Sequence, residues 1–443
     1  MPDLLVGIAQ LDYTPRPGLP LMGNFRDDYG ARGVHDPLYA RAVVFESPAG
    51  ERFAMLAVDI CMMDRGNVAM MREAIASRCG LAPESILIAA THTHSGPAPM
   101  RLGSLPKSPE EDVKAFLTQA ATAVVAAAQD LRPANVLAGH GSEDRLSFNR
   151  RLRCRDGTTH MNWERLDPSF VVEPLGPIDP HIGTLRIERE GRPTACVVNF
   201  GLHPAILAGD NWLYSADYPG YLAEAMRRLH GSQFVTLFFN GPCGNVNHID
   251  YRDPLQGRGY KMAERVGYML AVGAQEAAAV GVPVAGNAVG VRRESVSLRR
   301  LRISEEERRW CEDVLAKAER SGAPGQVDGV PDEYYARTRL RMYAEQATDD
   351  SVEVMVARVG DVGIVGLPGE VFCELGMEIR RRSPAGHTLV IELANDAIGY
   401  IPTREAYAQG GYEATPGATM YQPGCGEALV ESALRQLGEL FGR

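Results

Sequence analysis

The chain has 443 residues, 45% of them hydrophobic and 23% charged, and a net charge of −10. Such a composition is globular and excludes a disordered or collagen-like chain; the acidic balance argues against nucleic acid as a partner, because neutralising phosphates takes a basic surface. No apolar run reaches the roughly 18–20 residues of a membrane helix, so no integral membrane segment is expected.

Met1-Pro2-Asp3-Leu4-Leu5 shows neither the basic stretch nor the long apolar stretch of an export signal. Cysteines at 61, 79, 154, 196, 243, 311, 373 and 425 form no Cys-x-x-Cys pair. Reduced thiols and a cytoplasmic location are the expectation. Leu38 to Glu46 and Phe53 to Ile60 read as strands separated by Ser47-Pro48-Ala49-Gly50. Helical spacing over Asn67 to Cys79 stops at Gly80, and Ser85 to Ala90 is a short strand running into Thr91-His92-Thr93-His94-Ser95-Gly96-Pro97. Ser108-Pro109-Glu110-Glu111 predicts a capping box with proline at the first helical position, opening a long helix to Leu131.

The middle of the chain repeats this order of strand, then polar loop. Thr194 to Phe200 leads into Gly201-Leu202-His203-Pro204, and Asp217 to His230 predicts a helix with Asp217 as its cap. Gln233 to Phe239 opens onto the glycine-bearing loop Asn240 to His248, followed by a helix over Lys261 to Val280 and a strand over Ala288 to Val296. Residues 303–347 change character: Ser304-x-x-Glu307 predicts a second capping box, and two charged helical stretches flank a break at Gly322 to Pro331. This reads as a helical hairpin inserted into an α/β body, serving either as a lid or as surface decoration. Strands resume at Val352 to Val359, Val362 to Leu367 and Thr388 to Leu393, and Glu427 to Leu440 closes the chain as a helix. No internal repeat is visible, and no linker divides the chain, so a single domain over 1–443 fits.

The chemistry-bearing residues sit where these strands end. In an extended segment residues two apart share a face, so His92 and His94 can reach one site, as metal or catalytic groups or as a hydrogen-bonded structural pair. His203 follows a second strand and is either a turn histidine or a ligand. Glu370, in Leu367-Pro368-Gly369-Glu370, follows a third strand where a helix is expected to start, so its carboxylate either meets a helix dipole or binds a metal. Tyr400 follows a fourth strand and is a packing or a site residue. Ligands of open α/β sheets gather at that edge, and two histidines with one carboxylate and an open position form a familiar catalytic zinc set. Cys243 and His248 share one loop, which allows a thiol nucleophile or backbone N–H groups aimed at a substrate oxyanion.

The set His92-Thr93-His94-Ser95-Gly96-Pro97, Asn149-Arg150, His203, Pro368-Gly369-Glu370 and Tyr400, with His35-Asp36-Pro37-Leu38-Tyr39-Ala40-Arg41 and the strand ending at Asp59, resembles the catalytic domain of the neutral (non-lysosomal) ceramidase family. That resemblance implies mixed β-sheets flanked by helices in a layered α/β sandwich, with Zn2+ at the strands' C-terminal edge. It implies His92, His203, Glu370 and Tyr400 as zinc ligands. His94 would face the substrate and move protons, and Arg150 would lie near the scissile group, unless it is one more surface charge in the run Arg150, Arg151, Arg153, Arg155. Three departures are expected from that resemblance: with its last residue at Arg443 the sequence is read as lacking the family's immunoglobulin-like domain, Asn247 replaces the serine of the family's Gly-Asp-x-Ser-Pro-Asn loop, and no targeting segment is expected.

The expected activity is therefore zinc-dependent hydrolysis of a carboxamide in a small-molecule substrate. An ester or lactone hydrolase and a non-catalytic, metal-stabilised binding protein are the alternatives. Arg- and Tyr-bearing segments around 325–345 and 403–421 are candidates to line the pocket. Substrate identity and oligomeric state are not legible in the sequence.

Overall fold

The computed structural model describes residues 4–321, 326–327 and 330–442. One arrangement of strands and helices occurs three times along the chain. In the first unit, β1 (Leu5–Asp12), β2 (Tyr39–Glu46) and β3 (Arg52–Val58) run antiparallel in sequence order. Helix α1 (Arg65–Cys79) then crosses over to β4 (Ile86–Ala90), parallel to β3, and α2 (Glu110–Gln129) follows. The second unit has β5 (Asn135–Ser142), β6 (His181–Arg189), β7 (Arg192–Phe200), α3 (Tyr218–His230), β8 (Val235–Asn240) and α4 (Tyr260–Ala279), with the same pairing.

The third unit begins with β9 (Val289–Arg299), passes through two helices, α5 (Glu305–Ser321) and α6 (Asp332–Glu345), and returns in β10 (Asp349–Val359), antiparallel to β9. Then come β11 (Val362–Gly366), a two-residue strand β12 (Glu370–Val371), α7 (Cys373–Arg382), β13 (His387–Ile391) parallel to β11, a two-residue strand β14 (Tyr400–Ile401) parallel to β12, and α8 (Cys425–Phe441). The sequence shows no repeat because the recurrence is one of topology.

Alternation within the strands explains the packing. In β2, Val43 and Phe45 point into a central core to which all three sheets contribute, with Leu185 and Val197 from the second and Met355 and Ile364 from the third. Their neighbours Ala42 and Val44 face α1 and α2 instead. The outer faces of the other two sheets are covered in the same way, by α3 with α4 and by α7 with α8. Strands buried on both faces read as near-continuous apolar runs, which is why β2, β3 and β4 are legible in the sequence. The expected layered α/β architecture is thus observed as three helix-covered mixed sheets around one core.

Local expectations fare unevenly. Gly80 ends α1 in the left-handed region, Asp217 caps α3, and Ser304 and Glu307 form their reciprocal box at α5. The box at Ser108 does not form: Pro109 is the cap residue, and the Ser108 hydroxyl is buried without a partner. Glu370 lies in β12 rather than at a helix start, which comes only at Cys373. The break expected at 322–331 falls largely outside the described residues. All eight cysteines are free. Among the described residues no helix is long and apolar enough to cross a membrane.

Candidate metal centre

The polar residues singled out above meet where the parallel strands of all three units end. Strand β4 finishes at Ala90, and His92 adopts φ 73°, in the left-handed region. For a residue with a Cβ this costs on the order of 1–3 kcal/mol and persists only where the surroundings impose it. They do: the Thr91 N–H donates to the Val58 carbonyl, that of His92 to Ile60 and that of His94 to Pro204. His92 and His94 do share a site, with Nε2 atoms 3.4 Å apart, but through this turn and not through an extended segment. His203 follows β7. Glu370 follows β11 and is tied to Tyr400 by the β12–β14 pairing, its N–H donating to the Gly399 carbonyl.

Three acceptor atoms converge. Nε2 of His92 lies 3.0 Å from Nε2 of His203, and Oε2 of Glu370 lies 3.4 and 3.2 Å from these two nitrogens. The other ring nitrogens are committed: Nδ1 of His92 donates to the Cys61 carbonyl at 2.8 Å, and Nδ1 of His203 to the Cys243 carbonyl at 3.0 Å. That second contact fixes the tautomer and turns each Nε2 lone pair into the cluster. Oε2 of Glu370 has no hydrogen-bond partner. Three lone pairs facing one point repel unless a proton or a cation sits among them. Bonds of about 2.0–2.2 Å to a divalent ion give tetrahedral edges of about 3.3–3.6 Å, close to the separations observed. The residues therefore fit a metal ion.

The cluster is nearly dry. His92 and His203 are 1% exposed, Arg150 3%, Glu370 4% and His94 9%. Burial opposes charge on every imidazole. It holds His94 well below the usual histidine value, with His92 and His203 adding to the effect, and puts His203 at about 4. On His92 burial is outweighed by Cys61 and Glu370, so a proton favours that ring, and a bound cation competes with it. Burial alone would raise Glu370, but His203 and His92 hold it well below the usual carboxylate range.

Arg150 is no surface charge. Its Nε donates to Oε1 of Glu413 at 2.7 Å, its Nη1 lies 3.4 Å from Nε2 of His203, and its Nη2 is buried without a partner. The guanidinium is faced by Trp163, Tyr400 and Tyr412 at 5.1, 5.3 and 5.9 Å. Such a cation, fixed beside the acceptor cluster with one donor edge free, is suited to a developing negative oxygen. The Tyr400 ring packs against Tyr412, with centroids 5.1 Å apart.

Several members of this site were not foreseen. Glu413 is fully buried and holds both Arg150 and Arg151. Glu392, also fully buried, accepts the N–H groups of Val371 and Cys243 and the Cys243 thiol, and burial raises it to about 7. That thiol contact argues against Cys243 as a nucleophile, because burial and then Glu392 push the thiol well above its ordinary value. Asn247 pairs with Asn162 through reciprocal amide hydrogen bonds at 2.8 Å and so serves the shape of its loop.

Comparison with known proteins gives one consistent answer. The sequence model of the neutral/alkaline non-lysosomal ceramidase N-terminal region matches residues 4–247. The neutral ceramidase of Pseudomonas aeruginosa is 23% identical over 477 residues, covering 94% of this chain and 69% of that protein. That of Mycobacterium tuberculosis is 24% identical over 472 residues, covering 90% and 71%. The crystal structure of the Pseudomonas aeruginosa neutral ceramidase superposes with a TM-score of 0.77 at 21% identity, covering all of this chain and 75% of that one, which establishes a shared fold.

Proposed function

Because this chain belongs to the neutral/alkaline non-lysosomal ceramidase family, we propose that it is a zinc-dependent hydrolase cleaving an N-acyl bond in a small substrate. The observation that carries this reading is the buried convergence of His92, His203 and Glu370, with acceptor atoms 3.0–3.4 Å apart and Oε2 otherwise without a hydrogen-bond partner. Nε2 of both histidines and Oε2 of Glu370 would hold the zinc, with the Tyr400 hydroxyl as the fourth protein group. Once bound, zinc polarises a carbonyl and lowers the pKa of a water to about 7.

The chain's own groups do the rest. His94, kept neutral by burial and by its two imidazole neighbours, accepts a proton from the attacking water at Nε2 and returns it to the leaving amine. Arg150 offers Nη2 to the oxyanion of the tetrahedral intermediate, and Glu413 keeps the guanidinium aimed there. Tyr400 lies between Glu370 and Arg150 and lends its hydroxyl to the same charge. We read the whole chain, 1–443, as one catalytic unit, supported by the core its three sheets share and by the ligand each contributes. We assign it to the cytoplasm, supported by its eight unpaired cysteines.

The test is removal and return of the metal. Dialysis against a strong chelator abolishes hydrolysis of N-acyl amides, and added zinc restores it; activity indifferent to both steps refutes the reading. Running esters and lactones in the same assay identifies the bond, since faster turnover of either would move the assignment to that class.

A further inference from the structure

In each unit a long connection joins the first two strands, over residues 13–38, 143–180 and 300–348. Described residues of all three connections reach the candidate metal centre. From the first, Asn24 Oδ1 lies 3.4 Å from Nδ1 of His94, and Arg26 donates to the His94 carbonyl at 2.9 Å. Gly23, at φ 105°, lies so close to the His94 ring that a Cβ there would sit 2.4 Å from it. The second connection brings Arg150 and Trp163, whose indole packs edge-on against Tyr412. The third is the α5–α6 pair. Tyr334 of α6 is buried, meets Phe25 of the first connection edge-to-face at 5.6 Å, and packs with Tyr335, Tyr400 and Ala418 in an aromatic cluster of its own.

The third connection is attached differently from the rest of the fold. Cys311, Val314 and Ala336 form a small separate cluster between α5 and α6, and none of these residues joins the cores under the three sheets. Helix α6 meets its surroundings through the Tyr334 and Tyr335 rings, at Gly103, and through three polar contacts: Arg339 donates to the Pro416 carbonyl at 2.8 Å, Arg341 lies 3.8 Å from the Met420 sulfur, and Glu345 pairs with Arg300 at 2.7 Å. Gly103, at φ 55°, lies against the Tyr334 ring, where a Cβ would come within 2.4 Å. An element held by ring contacts and a few side-chain polar contacts, and not by a main core, belongs to the low-stability part of a structure and opens without unfolding the rest.

We propose that the α5–α6 pair is a movable cap over the metal centre and that the Tyr334 ring limits the substrate to short acyl groups. This rests on the hydrolase reading above. With the cap down the reacting groups are dry, as electrostatic catalysis requires. Trp163 and Tyr412 stand 5.1 and 5.9 Å from the Arg150 guanidinium, and Tyr334 packs with Tyr400 beside them, so a long acyl chain meets these rings before its carbonyl reaches the centre. A compact N-acyl compound does not.

Two measurements decide this. Acetyl and dodecanoyl 4-nitroanilides present one leaving group with two acyl lengths. The unaltered protein is expected to favour the acetyl compound in kcat/KM by about 100-fold, and Tyr334→Ala to narrow that ratio roughly tenfold, mainly through KM for the long chain, whereas Tyr334→Phe, which keeps the ring, preserves it. Equal kcat/KM for the two anilides, or a ratio that Tyr334→Ala leaves unmoved, overturns the size limit. By hydrogen exchange the amides of α6 are expected to open together about 100-fold faster than those of β2 and β3. Protection of α6 equal to that of β2 and β3 overturns the cap. If the unaltered protein cleaves neither anilide, the amide reading fails, and the exchange rates still decide the cap.

Discussion

The floor and the roof of the metal centre are built on opposite plans. The floor consists of strand ends. His92, His203 and Glu370 follow β4, β7 and β11, whose side chains are locked on both faces by the central core and the helix layers. The roof consists of long connections that carry Phe25, Arg150, Trp163 and Tyr334, held by ring contacts, by the buried carboxylate of Glu413 and by hydrogen bonds from Arg26 and Arg339 to backbone carbonyls. Rigid elements fix a donor set to within tenths of an ångström, whereas connections adapt and open. One fold thus separates a rigidly held acceptor cluster from an adaptable cover.

The most damaging substitutions should lie in the floor. His203→Ala and Glu370→Gln each remove one of three converging ligands, so metal content by elemental analysis falls from about one ion per chain towards zero and activity vanishes with it. Tyr334→Ala and Phe25→Ala keep the metal. A roof variant that loses metal as completely as Glu370→Gln would erase the distinction between the two regions.

The same contrast governs what could be read from the sequence. Buried strands announce themselves as apolar runs, and a polar residue just past such a run is conspicuous, so His92, His203 and Glu370, which the structure brings together, stood out as candidates. Strand β5 was not: Asn135-Val136-Leu137-Ala138-Gly139-His140-Gly141-Ser142 alternates weakly and carries two glycines. Gly139 is needed there because α4 lies so close that a Cβ would come within 2.1 Å of the Ala277 carbonyl oxygen. Glu370 was expected at a helix start because Pro368-Gly369 punctuates the chain there, yet pairing with Tyr400 draws it into β12. Glu413 and Tyr334 acquire their roles from residues hundreds of positions or whole units away. No local spacing encodes that.

Within the roof, Arg150 and Glu413 separate function from support. Arg150→Met removes a donor to the oxyanion and should lower kcat by about 10²–10³-fold, while Glu413 keeps Arg151 as a partner. Glu413→Ala strands two buried guanidinium groups and should cost about 3–5 kcal/mol of stability in denaturant titrations. Equal stability losses in the two variants would mean that Arg150, and not the shared carboxylate, anchors this part of the roof.

Two phenylalanines probe packing directly. Phe53 is fully buried in the central core, and Phe53→Ala should cost about 3–5 kcal/mol by denaturant titration through the cavity it leaves. Phe25 is only partly buried, so Phe25→Ala should cost roughly 1 kcal/mol and show itself in KM. Matching losses would make the roof as much a part of the folding core as the floor.

The smallest effect concerns pH and the floor of the second unit. Asp217 is fully buried at the start of α3, where it accepts the N–H groups of Tyr218 and Leu207, and burial raises its carboxyl to about 7. A carboxyl that binds its proton more tightly in the folded chain than in the unfolded one favours folding at low pH. That contribution shrinks as pH rises from near the ordinary aspartate value of 3.8 to about 7. Stability measured across this window should therefore carry a downward component that Asp217→Asn removes, even though the amide presents an N–H to Leu207 and lowers stability at every pH. An unchanged slope in Asp217→Asn would show that the two backbone donors fully offset burial and that the carboxylate stays ionised throughout. The loop from His203 to α3 would then be held by a charge and not by a shared proton.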